Sequence, residues 1–405
     1  RTWVARTLVH ALSGCAARFT PKWMMRKDRS FAGDIVRAVQ AVNDAAGHDD
    51  IDAAVREAMT DMAALKLSAA VDPETLTMGA IIGIGGYGSV WVATDPKGKQ
   101  YALKCLRKCL LAGYSELPKR ALREKEALET LRHPFISRLY STFQDADTLY
   151  FLLDLAPGGD LCTLLEHQPV FPEEWALFYT ASLALALRHM HKHSFVYRDM
   201  KPENVLLDQE GFICLADMGF AKKVADRTFT ACGTDEYVPP ELLEGKGRTA
   251  AADWWGLGVL LHEMVTGRPP FAGRNTSEIF DKISTYQKGG DHSNEQLRLD
   301  LGTAITPSCA ELISGFLVGD EKGRIGSGPE GFLRIQTHAW FSPINWGALV
   351  KREVAPPYVP PPFDPSTMDV EIDKKVIERR NFNREALDPI LRTFGPYVKL
   401  PPMSA

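Results

Sequence analysis

No apolar run in this 405-residue sequence reaches the roughly 18–20 residues that a membrane-spanning helix requires. The longest, residues 254–265, is interrupted by Glu263. The seven cysteines (Cys15, Cys105, Cys109, Cys162, Cys214, Cys232 and Cys309) form no C-x-x-C pair and no Cys/His set at zinc spacing. That leaves no zinc-module signature, and the odd, scattered thiols set the expectation of a reduced, cytoplasmic protein. Neither sign of charge dominates: 47 Lys+Arg against 51 Asp+Glu leave −4. No global field therefore draws in nucleic acid or an anionic membrane. Internal repeats are also lacking. What is present, 45% hydrophobic and 24% charged residues, is close to globular averages and excludes wholesale disorder or a collagen-like chain.

Periodicity divides the chain. Residues 1–74 are Ala-rich, with Phe31, Ile35, Val39 and Val42 at helical spacing behind a Ser30 cap. Ile51, Val55, Met59, Met62 and Leu65 come next, behind Asp49 or Asp50. This helical N-terminal extension reads either as amphipathic helices packed on the downstream chain or as a regulatory or partner-docking segment. From Leu76 the period changes. Residues 83–92, 101–106, 137–143 and 149–155 are short β-rich runs, broken by one helical stretch over 119–132. Beyond Gly158-Gly159 the pattern is mainly helical. A β-rich lobe over residues 75–156 and a helical lobe over 157–342 predict an α+β, bilobal unit. Residues 343–405 form a Pro-rich tail, with Pro356-Pro357 and Pro360-Pro361-Pro362, expected to run extended over other surface.

Gly83-Ile84-Gly85-Gly86-Tyr87-Gly88 offers side-chain-free positions where backbone N–H groups can approach phosphate oxygens. The run after Gly88, Ser89-Val90-Trp91-Val92-Ala93, reads as a strand and not as the helix of a dinucleotide fold. The same glycines would also suit a plain hairpin. Sixteen residues after Gly88, Lys104 ends the apolar Tyr101-Ala102-Leu103. Burying it would be costly without an anionic partner. Nucleotide phosphates and Glu124 would supply one; the alternative is a lysine whose stem lies on the surface with its head in water.

Two further segments weigh on that choice: Tyr197-Arg198-Asp199-Met200-Lys201-Pro202-Glu203-Asn204 and Ala216-Asp217-Met218-Gly219. With the glycine loop and Lys104, in this order over residues 78–342, the chain resembles a eukaryotic protein kinase. The resemblance implies ATP and Mg²⁺ as cofactors. It implies Gly83, Gly85, Gly86 and Gly88 on the phosphates, Val90, Ala102, Leu153 and Leu206 around adenine, and a hinge from Asp154 to Ala156. Lys104 and Glu124 would pair, Asp199 would accept or orient the substrate hydroxyl, and Lys201 would offset phosphoryl charge. Asn204 and Asp217 would supply the hard oxygens that Mg²⁺ prefers. Thr234 is expected to hydrogen-bond near Asp199 and Lys201, Asp253 to brace the catalytic loop, and Glu241 to pair with Arg324.

Lys201-Pro202-Glu203-Asn204 is similar to serine/threonine kinases. Gly219-Phe220-Ala221-Lys222-Lys223-Val224, residues 227–234 and His338-Ala339-Trp340-Phe341 resemble the cyclic-nucleotide-dependent kinases of the AGC group. The cGMP-dependent branch is nearest through Phe178-Tyr179-Thr180-Ala181 and Asn345-Trp346. By that resemblance Thr230 is an activation phosphosite. Its added charge of about −1.5 to −2 would be held by Arg198 and Lys222, with Arg120 as a third cation. Asp160, Glu203 and Asp281 would read Arg or Lys near the target Ser/Thr of protein substrates; the bland alternative is three solvated surface acids. A cyclic-nucleotide-binding regulatory domain or subunit would lie outside this chain, since none fits residues 1–74.

The sequence also departs from the family pattern. Met218 stands where D-F-G has phenylalanine, and is expected to pack with Leu128 and Tyr197. Asp235 stands where Gly-Thr-Pro-Glu has proline, and Pro239 where Ala-Pro-Glu has alanine. Met368-Asp369 replaces an Asn-Phe-Asp motif, and Phe394-Gly395-Pro396-Tyr397 resembles a hydrophobic tail motif that docks on the N-lobe. The expected function is ATP-dependent Ser/Thr phosphorylation of proteins. The rival from another class is a pseudokinase scaffold presenting an interaction surface; a small-molecule kinase is a third reading.

Overall fold

Short runs rich in aliphatic and aromatic residues build a five-stranded antiparallel sheet in the order β1-β2-β3-β5-β4. Its strands are β1 (Thr77–Gly85), β2 (Gly88–Thr94), β3 (Gln100–Arg107), β4 (Leu139–Gln144) and β5 (Thr148–Asp154). The computed structural model describes residues 71–224, 228, 234–288, 305–364 and 384–400. The expected N-terminal helices, Thr230 and Met368-Asp369 lie outside these residues. Residues 83–92, which read as one β run, are two strands meeting at Gly85 and Gly88 with Gly86-Tyr87 between them. The glycines that make the reversal feasible have no hydrophobicity to register it. Gly88 also lets β2 approach β3, because a Cβ there would collide with the Cys105 carbonyl.

Register decides which side chains meet. Lys104 lies opposite Val90 and Phe151, and Ala102 opposite Val92 and Leu153. Side chains alternate along strands, so these six share one face of the sheet. On the other face Trp91, Tyr101, Leu103, Tyr150 and Leu152 form a separate buried cluster. Helix α1 (Leu117–Thr130) turns Ala121, Glu124, Ala127 and Leu128 inward, with Pro118 in its first turn, where a missing N–H is harmless.

The second lobe is helical, as expected. α2 (Glu173–Lys192) and α3 (Ala251–Thr266) are apolar almost all round, as helices at the centre of a core must be, and they pack on each other. α3 ends at Gly267, whose φ of 79° closes the last turn. α4 (Thr276–Lys288) and α5 (Pro307–Phe316, capped by Thr306) lie beyond. Two small ladders hold the loops between the lobes: β6 (Phe195–Val196) with β9 (Lys222–Lys223), and β7 (Val205–Leu207) with β8 (Ile213–Leu215).

The Pro-rich tail runs extended over other surface. Pro356 and Tyr358 cross Gly211, Pro360 lies on Gly158, and Gln209 donates to the Pro361 carbonyl at 3.1 Å. After α6 (Arg384–Leu391), Phe394 is fully buried with its ring 5.0 Å from that of Phe151. Thr142 Oγ1 donates to the Phe394 carbonyl at 2.6 Å. The Gln144 amide donates to the Pro396 carbonyl, and the Val398 amide to the Gln144 carbonyl, both at 2.9 Å. The tail thus pairs in parallel with the outer edge of β4. Val398 and Leu400 continue onto the second cluster, beside Leu76. Among the described residues no helix is long and apolar enough to cross a membrane.

Candidate active site

Two non-glycine residues with left-handed backbones, Arg198 (φ 72°) and Asp217 (φ 45°), flank the cleft between the lobes. Asp253 on α3 holds the first. Its carboxylate accepts from the amides of Tyr197 and Arg198, each at 2.8 Å, and meets His191 Nε2 at 2.8 Å. Arg248 Nη1 donates to the Arg198 carbonyl at 2.9 Å. The bracing role expected of Asp253 is thus present, and it fixes the backbone leading into Asp199.

Asp199 is 2% exposed. Its Oδ2 accepts from Asn204 Nδ2 at 2.7 Å and lies 3.5 Å from Lys201 Nζ. Oδ1 has no hydrogen-bond partner among the described residues. The β7–β8 ladder sets Val205 opposite Leu215, and the Ala216 amide donates to the Asn204 carbonyl at 2.9 Å, which ties the segment carrying Asp217 to the one carrying Asn204.

From the other lobe Lys104 Nζ reaches Glu124 Oε1 at 2.6 Å and Asp217 Oδ1 at 3.5 Å. The surface-lysine alternative is excluded. Burial alone would weaken the ammonium, but Asp217 and Glu124 overcome it and hold Lys104 up at about 12. The Lys104 ammonium in turn draws the Asp217 carboxyl down to about 2, against its burial, with help from Arg120 and the Gly219 amide. Burial raises the Glu124 carboxyl.

Val90, Ala102 and Leu153 lie on the cleft face of the sheet, and Leu206 joins from β7, bridged to Asp160. Asp154 spends its carboxylate elsewhere, on Tyr140 Oη (2.7 Å) and the Arg138 amide (3.2 Å). Its amide is likewise committed, donating to the Arg138 carbonyl at 3.1 Å, and half-buried Ala156 follows two residues on. The glycine hairpin, with Gly83, Gly85, Gly86 and Gly88, overhangs this face. A Cβ on Gly85 or Gly86 would meet no atom within 4 Å, so there is open room beside the backbone.

Several expectations are redrawn. Arg198 Nη1 and Lys222 Nζ converge on Thr228 Oγ1, at 3.0 and 3.4 Å. Thr228 is buried and paired with Arg248 through two main-chain bonds. Arg120 does not join these cations: it stacks on Phe220 and reaches Asp217. Among the described residues the Thr234 hydroxyl has no hydrogen bond to Asp199 or Lys201. Thr234 lines a water-sized cavity of about 10 Å³ with Asp199 and Arg248. Asp281 is exposed on α4, whereas burial first, and then the charges of Glu203, Asp160, Glu166 and Glu263, push the Cys162 thiol up to about 11. Glu263, which sequence reasoning passed over, is raised by burial and by Glu203 and Glu236, and it accepts from Tyr237 Oη. Its interruption of the longest apolar run was the available signal. Met218 is fully buried in the core that holds Leu128 and Tyr197. Glu241 and Arg324 pair through two bonds of 3.0 and 2.9 Å. Asp235 accepts from Thr276 Oγ1 at 2.5 Å.

Comparison with known proteins converges on the same family. The protein kinase domain profile matches residues 76–341. A cAMP-dependent protein kinase catalytic subunit of Dictyostelium discoideum is 40% identical over 281 residues, 69% of this chain and 42% of that protein. Ribosomal protein S6 kinase alpha-3 of Homo sapiens is 37% identical over 296 residues, 71% of this chain and 38% of the relative. A cAMP-dependent protein kinase catalytic subunit-like protein of Caenorhabditis elegans is 36% identical over 285 residues, 70% of this chain and 69% of its own length. The chain spans less than half the length of the first two. The domain match, these relatives and a cleft in which Lys104 reaches both Glu124 and Asp217 show that the chain belongs to the protein kinase family, among relatives of the AGC group.

Proposed function

We propose that this chain is an ATP-dependent serine/threonine protein kinase with its catalytic unit over residues 75–342, preceded by an extension (1–74) and followed by a tail (343–405). One observation carries the reading. Asp199 has one carboxylate oxygen fixed by Asn204 and Lys201, and the other buried without a partner. A buried acceptor left open costs stability unless a ligand uses it. A substrate hydroxyl aimed at Asp199 Oδ1 would donate to it as the oxygen attacks, leaving Asp199 to take the proton. Lys201, 3.5 Å from Oδ2, would offset charge on the phosphoryl group in transit. Lys104, kept charged by Glu124 and Asp217, would hold nucleotide phosphates under the glycine hairpin, with adenine against Val90, Ala102, Leu153 and Leu206 and the main chain of Asp154 and Ala156.

The donor set suits Mg²⁺. Asp217 and Asn204 would supply one carboxylate and one amide oxygen, both hard donors. That is the provision expected where nucleotide phosphates and water complete the shell. When bound, the ion would neutralise phosphate charge.

Arg198 and Lys222, already converging on Thr228, support a phosphate-holding role in this segment, for which Thr230 is the proposed acceptor. Asp160, Glu203 and Glu263, with Glu263 taking the place first given to Asp281, would favour substrates with nearby Arg or Lys. The test is transfer of labelled phosphate from Mg-ATP to an Arg-containing Ser peptide. Asp199→Ala should lower the rate by at least about 100-fold. Equal rates for the two proteins, or none for either, would defeat the assignment and favour the scaffold.

A further inference from the structure

Arg120 lies one turn before Glu124 on α1, so both side chains leave the helix on the same face. Its guanidinium is 3.6 Å from the centre of the Phe220 ring, and Nη2 is 3.6 Å from Asp217 Oδ2. The other oxygen, Oδ1, accepts from the Gly219 amide at 3.1 Å and faces Lys104 at 3.5 Å. Each oxygen of Asp217 is therefore claimed by a different cation. Gly219 makes this geometry feasible: a Cβ there would stand 2.6 Å from Arg120 Nε. Phe220 is gripped twice, its ring by Arg120 and its carbonyl by Arg198 Nε at 2.7 Å.

We propose that Arg120 is a positioning residue that competes for Oδ2 of Asp217 and so sets how readily this carboxylate takes up a divalent cation with nucleotide. The inference rests on the assignment of Asp217 as a metal ligand made above. A divalent cation ligated by a carboxylate oxygen lies about 2.1 Å from it. A guanidinium on that same oxygen is then a like charge only a few ångströms away. Arg120 is 24% and Asp217 35% exposed, a setting in which solvent screens the repulsion incompletely. The cation–π stack on Phe220 gives Arg120 a defined resting place and resists its withdrawal. Metal uptake therefore becomes a property that α1 can tune.

Mn²⁺ serves as the probe, titrated by the loss of its free EPR signal into the full chain with a non-hydrolysable ATP analogue. Arg120→Met keeps an unbranched side chain against Phe220 and removes the charge. It should lower the Mn²⁺ concentration at half-saturation about tenfold, and Arg120→Lys should stay within about twofold of wild type. Nucleotide affinity in EDTA should match across all three. Unchanged or weaker Mn²⁺ uptake by Arg120→Met overturns the proposal, and so does an equal gain by Arg120→Lys, which would assign the effect to the stack. Should Arg120→Met fail to fold, Phe220→Leu, which frees the guanidinium, is expected to shift uptake in the same direction; no shift overturns the proposal. A wild-type protein that takes up no more Mn²⁺ with the analogue than Asp217→Asn would overturn the metal assignment itself, and the competition with it.

Discussion

Asp217 shows how much a single side chain's neighbours decide. Its carboxyl ionises at about 2 against an ordinary 3.8, chiefly because the Lys104 ammonium stands beside it. The folded state thus favours the ionised form. That contribution is complete above 3.8 and fades as the pH falls through 2. Asp217→Asn removes it. Melting temperature followed from about pH 5 to about pH 2 should fall more steeply in wild type than in the variant; parallel curves would contradict the Lys104–Asp217 coupling. Partners at this scale were legible where the motif names both of them, as with Lys104–Glu124 and Glu241–Arg324. They were illegible for Arg120, Thr228 and Glu263. The end point of a long side chain depends on which ring or carboxylate folds beside it, and neither spacing nor periodicity encodes that.

At the scale of elements, alternation placed β3 and β5 within a residue or two, and the 3.6-residue period found α1 almost to its ends. The β1–β2 hairpin was harder, because its turn is written in glycines. The tail is harder still: α6 and the strand-like segment after it gain their order from the sheet lobe. Phe394, 5.0 Å from Phe151 and fully buried, is the anchor. Phe394→Ala should weaken tail docking by about 3–5 kcal/mol, the usual range for a buried phenylalanine. Hydrogen exchange at the Val398 and Gln144 amides reports it directly, because both protecting bonds run between tail and β4. Unaltered protection at both would mean that α6 and Thr142 hold the tail without the ring.

At the scale of the molecule, a bilobal α+β unit was legible because its lobes differ in period, and its chemistry was legible because kinase motifs recur in fixed order. The carboxylate cluster was only half legible. Glu203 and Glu263 are far apart in sequence and meet only once β7 and α3 are both in place. The same long-range closure governs the sheet. β4 is its outermost strand, and the row of main-chain groups along its outer edge is partly satisfied by the chain's own end, through Gln144, Pro396 and Val398. An unpaired strand edge is a template for a second copy. Removing residues 384–405 would uncover that template together with the seat of Phe394. Light scattering of the truncated protein should then show concentration-dependent association that the full chain lacks. Whether that edge stands open to a second sheet therefore depends on the docked tail staying in place.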